Sequence, residues 1–109
     1  MAYDAVLAER VRKLLQGRKG ITEARMFGGV AYLLNGHMCC GVRDELLLLH
    51  LGEERAARSI EEPHVREIDF TAMAIKGIVS ITVDGYRTDE DLRAWVSRAV
   101  AFVIKLPPK

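Results

Sequence analysis

The sequence predicts a two-layer α+β domain in which helices cover one face of an antiparallel sheet of about five strands. Apolar residues recur at helical spacing near both ends of the chain, and they alternate with a period of two in between. An Asn-Gly dipeptide at positions 35–36 joins two alternating runs, which is the strongest short-range signal for a β-hairpin. Helices at the two ends of the chain can then pack on the same side of the sheet.

Composition indicates a single folded domain over residues 1–109. Half of the residues (50%) are hydrophobic and 28% are charged, a balance that excludes wholesale disorder. The formal net charge of +1 lacks the positive excess that nucleic acids attract, so we expect no direct nucleic acid binding. No apolar run approaches the roughly 20 residues that a bilayer requires, and no signal peptide pattern opens the chain. We therefore expect a cytoplasmic protein without membrane contact, which the low cysteine content also favours.

The first helix is predicted over residues 4–16. Leu7, Val11 and Leu14 recur at helical spacing and form one apolar stripe. Asp4 is a suitable N-cap because its carboxylate can accept hydrogen bonds from the first backbone N–H groups, and Gly17 is a suitable end.

Two strands, over 25–34 and 37–43, form the predicted hairpin. Plain alternation from the Asn-Gly turn places Tyr32 opposite Cys39 and Ala31 opposite Cys40. Two consecutive glycines at 28–29 suggest a bulge or a close backbone approach inside the first strand. The face that this register predicts to lie in the core carries Phe27, Ala31, Leu33, Met38, Cys40 and Val42.

The remaining elements complete the order helix, three strands, helix, two strands, helix. A strand over 46–51 follows, with Leu47, Leu49 and Leu51 joining the core face. A short helix over 52–60 ends before Pro63, and strands are predicted over 68–70 and 78–83. Thr88 opens the last helix as an N-cap.

Two layers leave one sheet face uncovered, and the predicted register leaves apolar side chains there. Contiguous apolar surface rimmed by charge marks an interaction site, and pairing about a twofold axis is its commonest use. We therefore predict a homodimer. A register shifted by one residue is the alternative, and it would exchange the two faces. The predicted interface residues are Val30, Tyr32, Leu34, Leu46 and Leu48.

The same face suggests a second hypothesis, a small-ligand or metal-binding protein. His37, Cys39 and His50 fall on it together, and two imidazoles with one thiolate suit zinc or copper. No fourth ligand is evident and no Cys-x-x-Cys pair occurs, so we expect no metal or other cofactor. In the ligand-binding version, Arg25 and Lys76 would hold an anion.

Catalysis is not expected. Cys39 with either histidine supplies a nucleophile and a base, but no orienting third group is specified. A disulfide between Cys39 and Cys40 is disfavoured because consecutive strand residues point to opposite faces. The sequence therefore predicts a non-enzymatic protein–protein interaction domain.

Several short motifs resemble the N-terminal domain of the TfoX (Sxy) competence regulators. They are, in chain order, Arg25-Met26-Phe27-Gly28-Gly29, Asn35-Gly36, Asp69-Phe70-Thr71, Lys76-Gly77 and Leu106-Pro107-Pro108-Lys109. The resemblance implies a small α+β fold similar to secretion-chaperone-like domains, and a role in transcriptional control of DNA uptake together with another regulator, the cyclic-AMP receptor protein. It implies no catalytic residues. The positions that match the family motif are Arg25, Phe27, Gly28, Gly29 and Lys76.

Overall fold

The computed structural model describes residues 3–26, 28–67 and 77–108, and it confirms the α+β class. One antiparallel sheet has the strand order β1-β2-β3-β4-β6-β5. Within the described residues it holds six strands rather than about five. The elements are α1 (Ala5–Leu15), β1 (Ile21–Met26), β2 (Gly29–Leu34), β3 (His37–Arg43), β4 (Leu46–His50), α2 (Glu53–Ser59), β5 (Val65–Glu67), β6 (Ile78–Ile81), a 3₁₀ turn (Val83–Gly85) and α3 (Asp89–Val103).

The additional strand arises at the consecutive glycines. The single strand predicted over 25–34 is wrong, because the chain turns back there and β1 pairs antiparallel with β2. Gly28 has a φ of 76°, which a residue with a side chain rarely adopts. A Cβ on Gly29 would overlap the carbonyl oxygen of Val42 on β3. The first glycine therefore permits the turn, and the second permits close approach of the neighbouring strand.

Local signals fix both long helices as expected. The Asp4 carboxylate accepts hydrogen bonds from the N–H groups of Val6 and Leu7 at the start of α1. The Thr88 hydroxyl accepts one from the N–H of Asp91 at the start of α3. The strand predicted over 68–70 lies outside the described residues, and β5 precedes it.

A β-bulge in β3 decides which way β2 faces. Pairing begins at the Asn-Gly turn as expected, with Leu33 opposite Met38. The next pair joins Tyr32 to Cys40 rather than to Cys39, so Cys39 is an additional residue that β2 does not match. One extra residue reverses the faces that plain alternation assigns to β2 relative to the rest of the sheet.

The main core lies between the sheet and all three helices. Leu7 of α1, Ala56 of α2 and Leu92 of α3 belong to the same buried cluster as the helix-side residues of the strands. Those strand residues are Val30, Tyr32, Leu34, Cys39, Cys40, Val42, Leu47, Leu49, Val65, Val79 and Ile81. The predicted assignments of Cys40, Val42, Leu47 and Leu49 to the core are confirmed.

The predicted assignment of β2 is wrong. Val30, Tyr32 and Leu34 were expected on an uncovered face, but each is at most 3% exposed and packs in the helix-side core. Conversely, Ala31 and Met38 were expected in that core and lie in a separate cluster. The bulge is the physical reason, because it turns β2 over while leaving β4 in its predicted orientation.

Candidate interaction surface

The predicted interface does not form an exposed patch. Val30, Tyr32 and Leu34 point to the helices, whereas Leu46 and Leu48 belong with the separate cluster on the other sheet face. Even there, Leu48 is 1% exposed and Leu46 is half-buried. Among the described residues, the large exposed hydrophobic side chains are Val6, Val83 and Ile104, which are scattered rather than contiguous. The five predicted interface residues therefore do not form one exposed apolar face.

Strand β1 offers a different surface, because it is an edge of the sheet. Within the described part of the chain, β1 pairs with β2 on one side, and none of the described strands pairs with its other side. The side chains of Thr22, Glu23 and Arg25 are exposed. An edge strand presents a row of backbone N–H and C=O groups that another strand can pair with.

The hydrogen bonding next to β1 shows which of its backbone groups point outward. The N–H of Asn35 donates to the carbonyl oxygen of Gly20 at 2.9 Å, so position 20 faces β2. Inward and outward residues alternate along an antiparallel strand. Positions 22, 24 and 26 therefore face β2 with their backbone groups, and Ile21, Glu23 and Arg25 direct theirs to the open edge.

The two charged side chains of β1 lie on the helix side of the sheet. Glu23 pairs with Tyr32, and both of its carboxylate oxygens accept hydrogen bonds from the Arg12 guanidinium of α1, at 3.0 and 3.1 Å. The Arg25 guanidinium carbon lies 5.9 Å from the centre of the Tyr3 ring. Opposite charges thus stand two residues apart on one face of an edge strand.

Space is available beside these side chains. A concavity of about 430 Å³ lies between the end of α1 and β1. Its walls include Arg12, Gln16, Ile21, Glu23 and Tyr32.

Sequence reasoning missed Glu23 and Arg25 as an edge. The available signal was the alternation of polar and apolar residues over 23–26, with two consecutive glycines at 28–29 soon after it. The prediction of one strand over 25–34 obscured this pattern, because it placed the turn at Gly28 in the middle of a strand.

The matched motif positions divide between β1 and its turn. Arg25 is exposed on β1, and Gly28 and Gly29 support the turn into β2 as described above. Phe27 and Lys76 lie outside the described residues.

The structure does not bring together the three residues of the alternative metal-binding hypothesis. Nε2 of His37 lies 2.6 Å from the carbonyl oxygen of Pro107, beyond the end of α3. Nδ1 of His50 lies 2.9 Å from the carbonyl oxygen of Met38, and its ring meets Phe102 edge-on. Cys39 is fully buried in the helix-side core. In the described ranges, no three His, Cys, Asp or Glu side chains come together as a metal site.

The adjacent cysteines share the helix-side core because of the bulge. Both are free thiols and both are 0% exposed. Their side chains hydrogen-bond to each other, which lowers the pKa of Cys39; the same bond, together with burial, raises the pKa of Cys40 well above its usual value. The expectation that these two residues point to opposite faces fails at a bulge.

Comparison with known proteins identifies the family. The model of the TfoX N-terminal domain matches residues 13–103, which is most of the chain. Searches of the curated proteins and of the solved structures each found no significant match. None of the described helices is both long enough and apolar enough to cross a membrane. The match over residues 13–103 establishes that the chain belongs to the TfoX N-terminal domain family.

Proposed function

We propose that this protein is a non-enzymatic protein–protein interaction domain of a competence-related transcriptional regulator, and that it forms a homodimer by pairing of β1 with β1 of a second copy. Family membership supports the regulatory role. The observation that carries the dimer is the open edge of β1 with Glu23 and Arg25 two residues apart.

The charges select one antiparallel register. Two copies of β1 related by a twofold axis at Ala24 would place Glu23 of each copy opposite Arg25 of the other. An axis at position 23 would oppose two glutamates, and an axis at position 25 would oppose two arginines. Opposite charges across a strand pair stabilise it and like charges destabilise it, so the axis at Ala24 is favoured.

The backbone supports the same register. Glu23 and Arg25 are the residues that direct N–H and C=O groups to the open edge, so they would form hydrogen-bonded pairs across the axis. Ala24 would face its own copy as a non-hydrogen-bonded pair, where its small side chain suits the short distance between the strands. The two sheets would then be continuous.

The wider role follows from the family. We propose that the domain acts in the cytoplasm, where its two free thiols are stable, and that it contacts another transcription regulator rather than nucleic acid. The nearly balanced charge supports the second point. A gel-shift series over increasing salt tests it, and a retarded band that weakens steeply with salt would contradict it.

Charge reversal tests the dimer. Glu23→Arg places two repulsive pairs across the axis where two attractive pairs stood. At about 0.2–1 kcal/mol for each attractive pair lost and each repulsive pair gained, the dimer dissociation constant should rise about fourfold or more. Sedimentation velocity over a concentration series measures it. Combining Glu23→Arg with Arg25→Glu restores opposite charges across the axis and should restore the dimer.

Glu61→Arg is the matched control, because Glu61 is exposed outside the sheet and the change in net charge is the same. It should leave the dissociation constant unchanged. A wild-type chain that stays monomeric at high micromolar concentration would contradict the proposal, as would a double variant that associates no better than Glu23→Arg alone.

A further inference from the structure

A concavity on the side of the molecule formed by α2 and α3 is lined by three arginines. Its volume is about 340 Å³, at the lower end of the range for small-molecule sites. Arg55 and Arg58 come from α2, and Arg98 comes from α3. The buried residues Leu51 and Ser59 complete the lining, which includes no acidic residue.

Two of the arginines form exposed ion pairs that a ligand could replace. Arg58 pairs with Glu54 at 2.7 Å, and Arg98 pairs with Glu62 at 2.9 Å. All four side chains are at least 40% exposed, and ion pairs between exposed side chains contribute little to stability. A ligand with two negative charges can therefore compete with these carboxylates.

Arg98 is also held in position by an aromatic ring. Its guanidinium carbon lies 4.4 Å from the centre of the Trp95 ring, which limits its motion, and its Nη1 group donates to both carboxylate oxygens of Glu62. Arg55 forms no ion pair with a described residue. Arginine presents planar, paired donors that match the oxygens of a phosphate group.

We propose that this concavity binds a dianionic phosphate group, either as inorganic phosphate or as the phosphomonoester of a small molecule. Arg55 contributes a charge that forms no ion pair with a described carboxylate, and Arg58 and Arg98 contribute donors from the two helices. Leu51 supplies the apolar wall that an organic portion of the ligand would contact. The site is separate from β1 and does not depend on dimer formation.

Titration of the ¹⁵N-labelled protein with inorganic phosphate and with O-phosphoserine, followed by NMR at constant pH and ionic strength, tests the proposal. Saturable shifts should cluster at the three arginines and Ser59, and acetate should not reproduce them. Tighter binding of phosphoserine would identify a phosphomonoester, whereas equal affinity would identify the phosphate group alone. Both results support the site.

Arg55→Gln should weaken phosphate binding by about tenfold or more, because a hydrogen-bonded charge is lost. Arg55 is exposed, so this variant should fold normally. Arg93→Gln is the matched control, since Arg93 is exposed on α3 and does not line the concavity. Shifts that do not saturate, or equal weakening by the two variants, would overturn the proposal.

Discussion

Tyr32 gives the sharpest test of the fold, because the bulge alone decides whether it faces the helices or the other side of the sheet. Its side chain is 1% exposed, and its hydroxyl donates to the carbonyl oxygen of Ala8 at 2.8 Å. Tyr32→Phe removes this hydrogen bond and keeps the ring. The free energy of unfolding at pH 7 should fall by about 0.5–1.5 kcal/mol.

The sign of this effect should reverse at high pH. Burial, with a smaller contribution from the Glu23 carboxylate, raises the pKa of Tyr32 from 10.0 to about 12. The folded state therefore keeps the phenol neutral after the unfolded chain has ionised. Stability from this group is complete below pH 10 and is lost as the pH rises towards 12, by about 2–3 kcal/mol in all. Phenylalanine has no such loss, so Tyr32→Phe should be the more stable protein near pH 12.

Urea unfolding at pH 7, 9, 11 and 12, followed by far-UV circular dichroism, measures both effects. Tyr3→Phe is the control, because Tyr3 is half-buried and its hydroxyl forms no hydrogen bond with a described residue. Tyr86 also has a raised pKa, caused mainly by burial, and its contribution is common to all three proteins. A difference between wild type and Tyr32→Phe that stays constant with pH would refute the orientation of β2.

Three further results are expected. Gly52→Ala should destabilise the fold by roughly 2 kcal/mol or more, because Gly52 has a φ of 85° and a Cβ would lie 2.5 Å from the Phe102 ring. Thermal unfolding measures this loss. Gly17→Ala is the control for backbone strain alone, because Gly17 has the same φ but lies in open space. Asp4→Ala should cost about 0.5–2 kcal/mol by removing the cap of α1, whereas Asp4→Ser should recover most of it, again by thermal unfolding. Cys39 and Cys40 should resist iodoacetamide until urea unfolds the chain, as followed by mass spectrometry, because both are fully buried; rapid alkylation of the native protein would show that the helix-side core opens.

The helices and turns were predictable because their signals are local. Asp4 and Thr88 supply cap hydrogen bonds to residues two or three positions away. At the hairpin, Asn35 and Gly36 take φ values of 53° and 87°, as a turn with two left-handed residues requires. Each of these features depends on a few residues that lie close together along the chain.

The faces of β2 were not predictable in this way. Whether Tyr32 pairs with Cys39 or with Cys40 depends on which arrangement buries more apolar surface against α1 and α3, and both faces of β2 are apolar. Alternation therefore offered no preference, and the bulge is visible only when the helices are in place. The predicted interface failed for the same reason.

Neither candidate surface could be recognised without the tertiary structure. The charges at Glu23 and Arg25 are two positions apart in the sequence, but their role in pairing depends on β1 being an edge strand. The phosphate site joins Arg98 to arginines about forty positions earlier, and no sequence spacing indicates that α2 and α3 meet there.

Cross-linking at the proposed twofold axis tests the dimer most directly. Ala24→Cys places one thiol from each copy opposite the other, within the range that a disulfide spans, whereas Thr22→Cys thiols would lie several residues apart along the paired strands. Mild oxidation followed by non-reducing electrophoresis should convert Ala24→Cys to a covalent dimer and leave Thr22→Cys monomeric. Equal cross-linking of the two variants, or none with Ala24→Cys, would contradict the pairing of β1 with β1.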